Sequence, residues 1–416
     1  MRILLFPYRY APSRGGIEKQ STLLANFFIQ GGHSVIILTE RYRLGLKRIE
    51  YINGVQIKRI WSPGILRTAF LRQIQSCKKI LGISREQEAF ATATYRLSPA
   101  KRSLRVVYRT FIYKLPILWF TFSSFFHLII YGRRCDVIQA FQTNLFALSA
   151  IIAGRILHKP VIIRDAVIGG MKEQDEFLLF RCTHPYIIKN GRFVALSKTI
   201  ATDLEARGVS IERITHIPNS VIVPAAYSST KNMQKALFVG NILNNPKQKG
   251  LDILLKAWSE VICYYPNAIL NVIGSGDYTL FKEQANTLKL YESVQFWGEQ
   301  EDISPFYQTN GLFILPSRFE GMSNALLEAM AYGLTCIATR ISGSDELILD
   351  HQNGLLVEPN DHVELAHAII EIISNPVGAV QYGLKAREFV KANHDPQQIA
   401  DRYLQLYSKL IEENQR

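Results

Sequence analysis

Two glutamates, eight positions apart, lie in the part of the sequence that carries the clearest chemistry. Glu320 comes just before a turn at Gly321, and Glu328 lies one turn inside a predicted helix with Ser323 or Asn324 as its N-cap. The free N–H groups of a first helical turn favour an anion, while carboxylates suit hydroxyl groups. This combination matches a nucleotide sugar, in which a diphosphate joins two hydroxylated sugars. The spacing alone is equally typical of an ordinary strand–helix connection with two solvated glutamates.

The stretch around these glutamates resembles a known family. Glu320 and Glu328 lie within Pro-Ser-x-x-Glu-Gly-Met-x-x-x-x-x-Glu-Ala-Met-Ala-x-Gly, which is similar to the E-x7-E signature of retaining family 4 glycosyltransferases. The resemblance implies the two-domain GT-B fold and a nucleoside diphosphate sugar as donor. Weaker landmarks of the family follow in its order over nearly the whole chain, at residues 12–18, 31–35, 195–198, 217–220, 249–250, 273–276, 297–298 and 353–354.

The resemblance implies a role for each matching position. Glu328 would bind the ribose hydroxyls of the donor, and Glu320 would hold the transferred sugar. Lys249 would neutralise the leaving diphosphate, which a lysine can do as a compact point charge. The backbone after Glu320 and the Gly15–Gly16 loop would approach the sugar and the diphosphate closely. Of these residues, Glu320 and Lys249 are the implied catalytic pair. The full set of implied donor-binding residues is Gly15, Gly16, Asn241, Lys249, Gly274, Glu320, Gly321, Met322, Ser323 and Glu328.

Two departures from the family pattern concern charge near the substrates. Asn241 follows Gly240 where the family usually has an arginine that shares the diphosphate with the lysine. Arg164 and Asp165 end a predicted strand where the family often has a histidine near the reacting sugar, so both are candidates for the acceptor side. The resemblance implies no metal and no other cofactor, and the sequence contains no Asp-x-Asp pair. A lysine and a helix N-terminus would replace a divalent cation at the leaving group.

The elements that must position these residues alternate along the chain. Short β-branched runs separated by helical stretches predict an α/β protein with two doubly wound parallel sheets. We expect two Rossmann-like domains facing each other across a cleft, residues 1–220 for the acceptor and 221–390 for the nucleotide sugar. A C-terminal helix at 391–416 is expected to pack back on the first domain. The predicted strands are Ile3–Pro7, Val35–Thr39, Val55–Ile60, Val137–Phe141, Val161–Arg164, Phe193–Ser197, Ala236–Gly240, Ile269–Ile273, Val294–Trp297, Leu312–Leu315 and Thr335–Thr339.

Composition restricts the class of protein further. The 416 residues are 48% hydrophobic and 20% charged, which excludes a disordered chain and a small disulfide scaffold. Five cysteines, none of them in a C-x-x-C pair, favour a reducing compartment. The N-terminal residues lack the layout of a signal peptide. We therefore expect a cytoplasmic protein.

The formal net charge of +13 is distributed unevenly. Residues 1–135 contain 23 Lys/Arg and 5 Asp/Glu, a balance of +18, whereas residues 136–416 contain 25 and 30, a balance of −5. This asymmetry predicts an anionic partner for the first third of the chain. Nucleic acid, a membrane surface and an anionic substrate all fit that description.

Residues 98–134 form a candidate membrane-contacting segment. The run Leu115–Gly132 contains no Asp, Glu, Lys or Arg. A transmembrane helix, a buried helix that covers the sheet and an interfacial helix all remain open. A single crossing would put strands of one sheet on opposite sides of the membrane, which weighs against the first. The basic residues that flank the run are Lys101, Arg102, Arg105, Arg109, Lys114, Arg133 and Arg134.

These observations favour a retaining, metal-independent glycosyltransferase of hexosyltransferase type. It would move a sugar from a nucleoside diphosphate sugar to a lipid-linked or saccharide acceptor in cell-envelope polysaccharide or glycolipid synthesis, peripheral on the inner face of an anionic membrane. A nucleotide-sugar 2-epimerase of the same fold is the alternative enzyme. A nucleic-acid binder is disfavoured, because the aromatic residues of the basic region lie in an uncharged block rather than among cations.

Overall fold

The chain divides into two compact units in a computed structural model that describes residues 1–13, 15–63, 115–166, 178–225, 231–242 and 246–415. The first unit comprises Met1–Arg164, Met171–Phe193 and Gln405–Arg416, and the second comprises Asp165–Gly170 and Val194–Leu404. The domain limits predicted from the sequence, 1–220, 221–390 and 391–416, stay predictions.

The first sheet has eight strands in the order β3-β4-β2-β1-β5-β6-β7-β8. Its central strands are almost entirely buried, as expected for a sheet with helices on both faces. All six strands predicted for this part of the chain are confirmed, and no end shifts by more than two residues. The strands are β1 (Arg2–Phe6), β2 (Ser34–Arg41), β3 (Ile49–Ile52), β4 (Val55–Trp61), β5 (Val137–Phe141), β6 (Val161–Asp165), β7 (Arg192–Ala195) and β8 (Ile214–His216).

The edge strand β3 departs from the all-parallel prediction. It pairs antiparallel with β4, and Ile52 lies opposite Val55 across a two-residue turn. Asn53 and Gly54 form this turn with φ values of +48° and +80°, the conformation that a tight hairpin requires. The first sheet is therefore mixed at one edge, while the neighbouring strands β4-β2-β1-β5-β6 pair in parallel.

Four described helices belong to the first unit, and they pack on an aromatic core. Phe120 lies between Phe6 and Phe146, with ring centroids 6.1 Å and 4.9 Å away. The last residues of the chain also enter this unit: Tyr407 is buried edge-on against Phe28, with centroids 5.8 Å apart. The helices are α1 (Gly16–Gln30), α2 (Leu115–Gly132), α3 (Leu145–Leu157) and α4 (Leu178–Asn190).

The run Leu115–Gly132 forms helix α2, and its two faces differ. Phe120, Ser124 and Leu128 are fully buried, while large apolar side chains on the opposite face are exposed. The buried-helix prediction is therefore correct for one face. Among the described residues no single helix is long and apolar enough to cross a membrane; a bent pair, His362–Ser374 with Pro376–Gln415, passes that test by length and composition. The basic residues Lys101, Arg102, Arg105, Arg109 and Lys114 lie outside the described residues.

The second sheet has six strands in the order β11-β10-β9-β12-β13-β14, and all five neighbouring pairs are parallel. All five predicted strands are confirmed, and the short strand β14 was not predicted. Strand β12 lies between β9 and β13 and is buried along its whole length. The strands are β9 (Asn232–Val239), β10 (Ile269–Ile273), β11 (Val294–Gly298), β12 (Asn310–Leu315), β13 (Thr335–Thr339) and β14 (Leu355–Val357).

Helices cover the second sheet and supply its core. Trp258 and Leu254 of one helix join Ile369 of another in a single apolar cluster with Leu270 and Leu312 of the sheet. A short 3-10 helix, Ile211–Arg213, precedes β8. The remaining helices are α5 (Lys198–Ala206), α6 (Leu251–Tyr264), α7 (Thr279–Thr287), α8 (Ser304–Thr309), α9 (Asn324–Ala331), α10 (His362–Ser374), α11 (Pro376–Asn393) and α12 (Pro396–Gln415).

Candidate functional site

The loop between β12 and α9 carries the first predicted glutamate. The buried strand β12 ends at Leu315, and α9 begins at Asn324 with Ser323 as its N-cap; the Ser323 hydroxyl accepts from the N–H of Leu326 at 3.4 Å. This loop lies at the carboxyl ends of parallel strands, which is where α/β sheets bind ligands. The predicted turn and N-cap are confirmed.

Glu320 is held by two donors on one oxygen. Its Oε1 lies 2.5 Å from Lys249 Nζ and accepts from the Ser317 hydroxyl at 2.8 Å. The side chain of Glu320 is 9% exposed and that of Lys249 is 19% exposed, so water screens the pair poorly. Within the described part of the chain, no group donates to Oε2. That second oxygen is available to a hydroxyl group of a ligand.

Lys249 is fixed by the close approach of two loops. Gly250 has φ +67°, and a Cβ atom there would lie 1.8 Å from the carbonyl oxygen of Pro316. Arg318 forms a two-armed salt bridge with Asp252, with both N–O distances at 2.8 Å. Paired guanidinium–carboxylate contacts of this kind are directional as well as strong. The Lys249–Gly250 loop is thereby held against the loop of Glu320.

The backbone after Glu320 is packed from two sides. A Cβ atom at Gly321 would lie 1.7 Å from the carbonyl oxygen of Ala166, and one at Gly343 would lie 2.1 Å from the carbonyl oxygen of Gly321. Asn219 Nδ2 donates to the Met322 carbonyl at 3.2 Å. These contacts fix the turn and leave no space for a side chain at Gly321 or Gly343.

Three consecutive amides of this turn are available to a ligand. Counting only the residues that the structure describes, the N–H groups of Gly321, Met322 and Ser323 donate to no other group. They precede the first turn of α9, where the helix dipole favours negative charge. The predicted anion site is therefore compatible with the geometry, and its ligand stays a prediction.

Glu328 lies on α9 in a different environment from Glu320. Tyr307, fully buried on α8, donates its hydroxyl to the Ala325 carbonyl of α9 at 3.4 Å, and burial together with the Glu328 carboxylate raises the pKa of Tyr307. The Tyr307 ring stacks on Tyr332 with centroids 5.3 Å apart. Its carbonyl accepts from Lys231 Nζ at 2.8 Å, and burial lowers the pKa of Lys231 to about 8. No sequence motif marks Tyr307 or Lys231, and neither was predicted.

Asn241 and Gly274 lie together at the neighbouring strand ends. Gly274 has φ +147°, and a Cβ atom there would lie 2.0 Å from the carbonyl oxygen of Gly240. Asn241 Oδ1 accepts from the N–H of Ser275 at 3.1 Å. Asn241 stands where the family usually has an arginine, and here its side chain joins two loops and supplies no positive charge.

In the first unit, Gly15 is the N-cap of α1 and Gly16 is its first residue. The Glu18 carboxylate folds back toward Gly15: a Cβ atom there would lie 2.4 Å from Glu18 Oε2. The Ser13 hydroxyl donates to Glu18 Oε1 at 3.1 Å. Gly15 and Gly16 thus lie at a helix N-terminus with an acidic side chain beside it, and their role in donor binding stays a prediction.

The acceptor-side candidates lie at the end of β6. Arg164 and Asp165 are 2% and 5% exposed, and the Arg164 guanidinium lies 5.5 Å from the ring centroid of Phe141. The neighbouring Gln142 has φ +118°, a strained conformation that clusters at functional sites. The sequence gives no signal for Gln142, because backbone strain depends on contacts made after folding.

A second cation at this edge of the first sheet was also not predicted. Arg9 follows β1 and lies near the rings of Tyr8 and Tyr42, at 5.7 Å and 5.3 Å from their centroids. Its Nε is 3.8 Å from the buried carboxylate of Glu40. Such stacking holds a guanidinium in one orientation. Across the described residues, no three His, Cys, Asp or Glu side chains come together as metal ligands.

Comparison with solved structures identifies the class to which this fold belongs. Sucrose-phosphate synthase from Thermosynechococcus elongatus matches with a TM-score of 0.74 at 19% identity, covering 99% of both chains. HepE from Anabaena, solved in complex with UDP and glucose, matches with a TM-score of 0.69 at 15% identity, covering 98% of this chain and 100% of that one. The fold is that of the GT-B glycosyltransferases, as the sequence predicted.

Part of the second unit is similar in sequence to a known family. Residues 234–375 match the family model Glycosyl transferases group 1. The lipopolysaccharide core biosynthesis mannosyltransferase LpcC from Rhizobium leguminosarum is 29% identical over 173 residues, which cover 40% of this chain and 49% of LpcC. The chain spans about half the length of the curated relatives it matches. Residues 234–375 therefore carry the sequence features of the group 1 glycosyltransferases, which agrees with the resemblance seen in the motif.

Proposed function

We propose that this protein is a retaining, metal-independent hexosyltransferase that uses a nucleoside diphosphate sugar and needs no other cofactor. The observation that carries the proposal is the cluster of Lys249, Glu320 and Ser317 directly before three available amides at the start of α9. The Glu320 carboxylate can accept hydrogen bonds from sugar hydroxyl groups. The Lys249 ammonium group and the amides can bind phosphates. The HepE complex with UDP and glucose supports a nucleotide sugar as donor.

Each group has a part in the transfer. Glu320 Oε2 accepts a hydroxyl of the transferred sugar, which orients the anomeric carbon, and Glu328 accepts the ribose hydroxyls. The bond from the anomeric carbon to the diphosphate oxygen breaks, and a bond to the acceptor oxygen forms on the same face. The acceptor proton leaves with the diphosphate. Lys249 and the amides of residues 321–323 stabilise the negative charge that develops on the leaving group.

A panel of nucleotide sugars tests the donor first, because a ligand that binds the folded state raises the midpoint of thermal unfolding. The donor found in this way is then incubated with candidate acceptors. A new glycoside together with free nucleoside diphosphate is the expected result. An epimerised nucleotide sugar without a new glycoside would overturn the proposal. Activity should persist in EDTA; loss of activity in EDTA that Mg²⁺ restores would contradict the metal-independent mechanism.

We further propose that the acceptor is lipid-linked or an envelope saccharide, and that the protein is cytoplasmic and peripheral on an anionic membrane. The balance of +18 in residues 1–135 supports an anionic surface as partner, since each Lys or Arg near such a surface contributes about 1 kcal/mol. The name of the relative LpcC supports a role in the cell envelope. Nucleic acid is not expected to bind: retention on duplex or single-stranded DNA at physiological salt would contradict this part.

A further inference from the structure

Helix α2 presents an apolar face that its own unit does not cover. Its other face packs against α3 and β4, and the Ser149 hydroxyl of α3 donates to the Thr121 carbonyl at 2.9 Å. On the outer face, side chains recur at a spacing of three or four residues, which places them in one stripe. Trp119 is 47% exposed, Phe122 63%, Phe126 49% and Ile130 59%.

The stripe continues onto the edge of the sheet. Trp61, the last residue of β4, is 45% exposed, and its ring lies perpendicular to that of Trp119 with centroids 5.9 Å apart. Phe122 and Phe126 also pack edge to face, at 4.9 Å. These contacts make one continuous surface of Trp61, Trp119, Phe122, Phe126 and Ile130, which we name the aromatic face.

Among the described residues, basic side chains adjoin the helix that carries the aromatic face. Helix α2 carries no Asp, Glu, Lys or Arg, and the exposed Arg133 and Arg134 follow it directly. Lys58 of β4 lies with its Nζ 5.1 Å from the ring centroid of Tyr131, the penultimate residue of α2. Tryptophan side chains and flanking cations are typical of helices that lie in the headgroup region of a membrane. The surroundings therefore complement an anionic lipid surface.

We propose that the aromatic face inserts into the boundary between headgroups and acyl chains of an anionic leaflet, with α2 parallel to the membrane plane. A second copy of the chain is a poorer occupant, because two basic regions would then be brought together. This proposal rests on the proposed function in one respect: the membrane would be the place where the lipid-linked acceptor is found. Insertion itself is measured without any sugar transfer.

The inference is tested with the full chain and vesicles of phosphatidylcholine and phosphatidylglycerol in equal parts. The double variant Phe122→Ser/Phe126→Ser removes the two most central rings of the aromatic face, both of which are exposed. The control is Leu280→Ser/Tyr291→Ser, which removes two apolar side chains of the second unit that are 71% and 68% exposed. Co-sedimentation gives the vesicle affinity, and quenching by brominated lipids reports whether tryptophan enters the bilayer.

Wild-type protein should bind and be quenched, and the face variant should bind at least about tenfold more weakly because two rings no longer leave water. The control should bind like wild type. Equal binding by both variants, or absence of quenching in wild type, would overturn the proposal. A dimer that only the face variant abolishes would identify a second copy instead. A face variant that unfolds several degrees below the control would show that the chain itself covers the face.

Thermal stabilisation by the donor separates this inference from the proposed function. A face variant that loses vesicle affinity but is still stabilised by the nucleotide sugar supports the aromatic face as a membrane contact. If the donor stabilises the wild-type protein but the protein does not bind vesicles, the membrane inference is overturned and the proposed glycosyltransferase function stands.

Discussion

Glu320 has an asymmetric environment. One carboxylate oxygen receives both Lys249 and the Ser317 hydroxyl, and among the described residues the other oxygen receives nothing. The ion pair therefore fixes the orientation of Glu320 before a sugar binds. It also keeps Lys249 beside Glu320, the residue directly before the three amides to which we assign the leaving group.

We expect Glu320→Ala to lower kcat about 100-fold or more, because it removes both the contact to the sugar and the group that positions Lys249. Donor affinity should change less, since the amides of residues 321–323 remain. Steady-state kinetics and donor binding by calorimetry measure the two effects. A kcat equal to that of the wild-type protein would contradict the catalytic role assigned to Glu320.

Glu328→Ala should act mainly on binding. Loss of two hydrogen bonds from a carboxylate to ribose hydroxyls predicts about a 10- to 100-fold weaker donor affinity. The control Glu283→Ala removes an exposed glutamate of α7 in the same unit and should leave the affinity unchanged. Donor affinity of the Glu328 variant equal to that of the control would contradict the ribose contact.

At the scale of elements, the strands were predictable because parallel strands with helices on both faces are continuous apolar runs. The hairpin of β3 and β4 carried its own signal: Asn53-Gly54 between alternating apolar residues is typical of a tight turn, and the all-parallel prediction overlooked it. Strands β8 and β14 span three residues each, too few for any periodicity. Their ladders depend on neighbours brought together by folding.

The candidate site shows the same limit. The motif around Glu320 predicted the turn and the N-cap, because those depend on residues close in sequence. The contact of Tyr307 with Ala325 joins two helices, and the approach of Gly250 to Pro316 joins two loops. Contacts of this kind arise from tertiary packing and leave no local pattern.

Gly250→Ala tests how strictly the two loops must meet. The new methyl group would collide with the Pro316 carbonyl and strain a φ of +67°, so we expect a loss of about 3 kcal/mol and weaker donor binding. Gly208→Ala is the control: Gly208 has φ +93°, and no atom lies within 4 Å of a Cβ atom there. It should cost about 1 kcal/mol. Equal denaturation midpoints for the two variants would show that the loops of Gly250 and Pro316 can move apart at little cost in stability.

At the scale of the whole molecule, the charge asymmetry and the aromatic face predict two separable components of vesicle binding. Attraction to anionic lipid should weaken as salt rises, since screening shortens its range, while apolar insertion should not. We expect affinity for anionic vesicles to fall about tenfold or more from 50 to 500 mM NaCl and then to level off. Affinity that is independent of salt in sedimentation assays would contradict a role for the basic residues.

The end of the chain has a consequence for protein engineering. The hydroxyl of Tyr407 on α12 donates to the side-chain oxygen of Gln139, which is fully buried in the middle of β5. The first unit is therefore completed by a C-terminal segment, Gln405–Arg416, that is far in sequence from its other two segments. Domain-swap chimeras that exchange only the N-terminal half between relatives would pair a foreign α12 with this strand and leave a buried amide beside a gap. Productive crossovers must carry the codons for residues 405–415 together with those for the first unit.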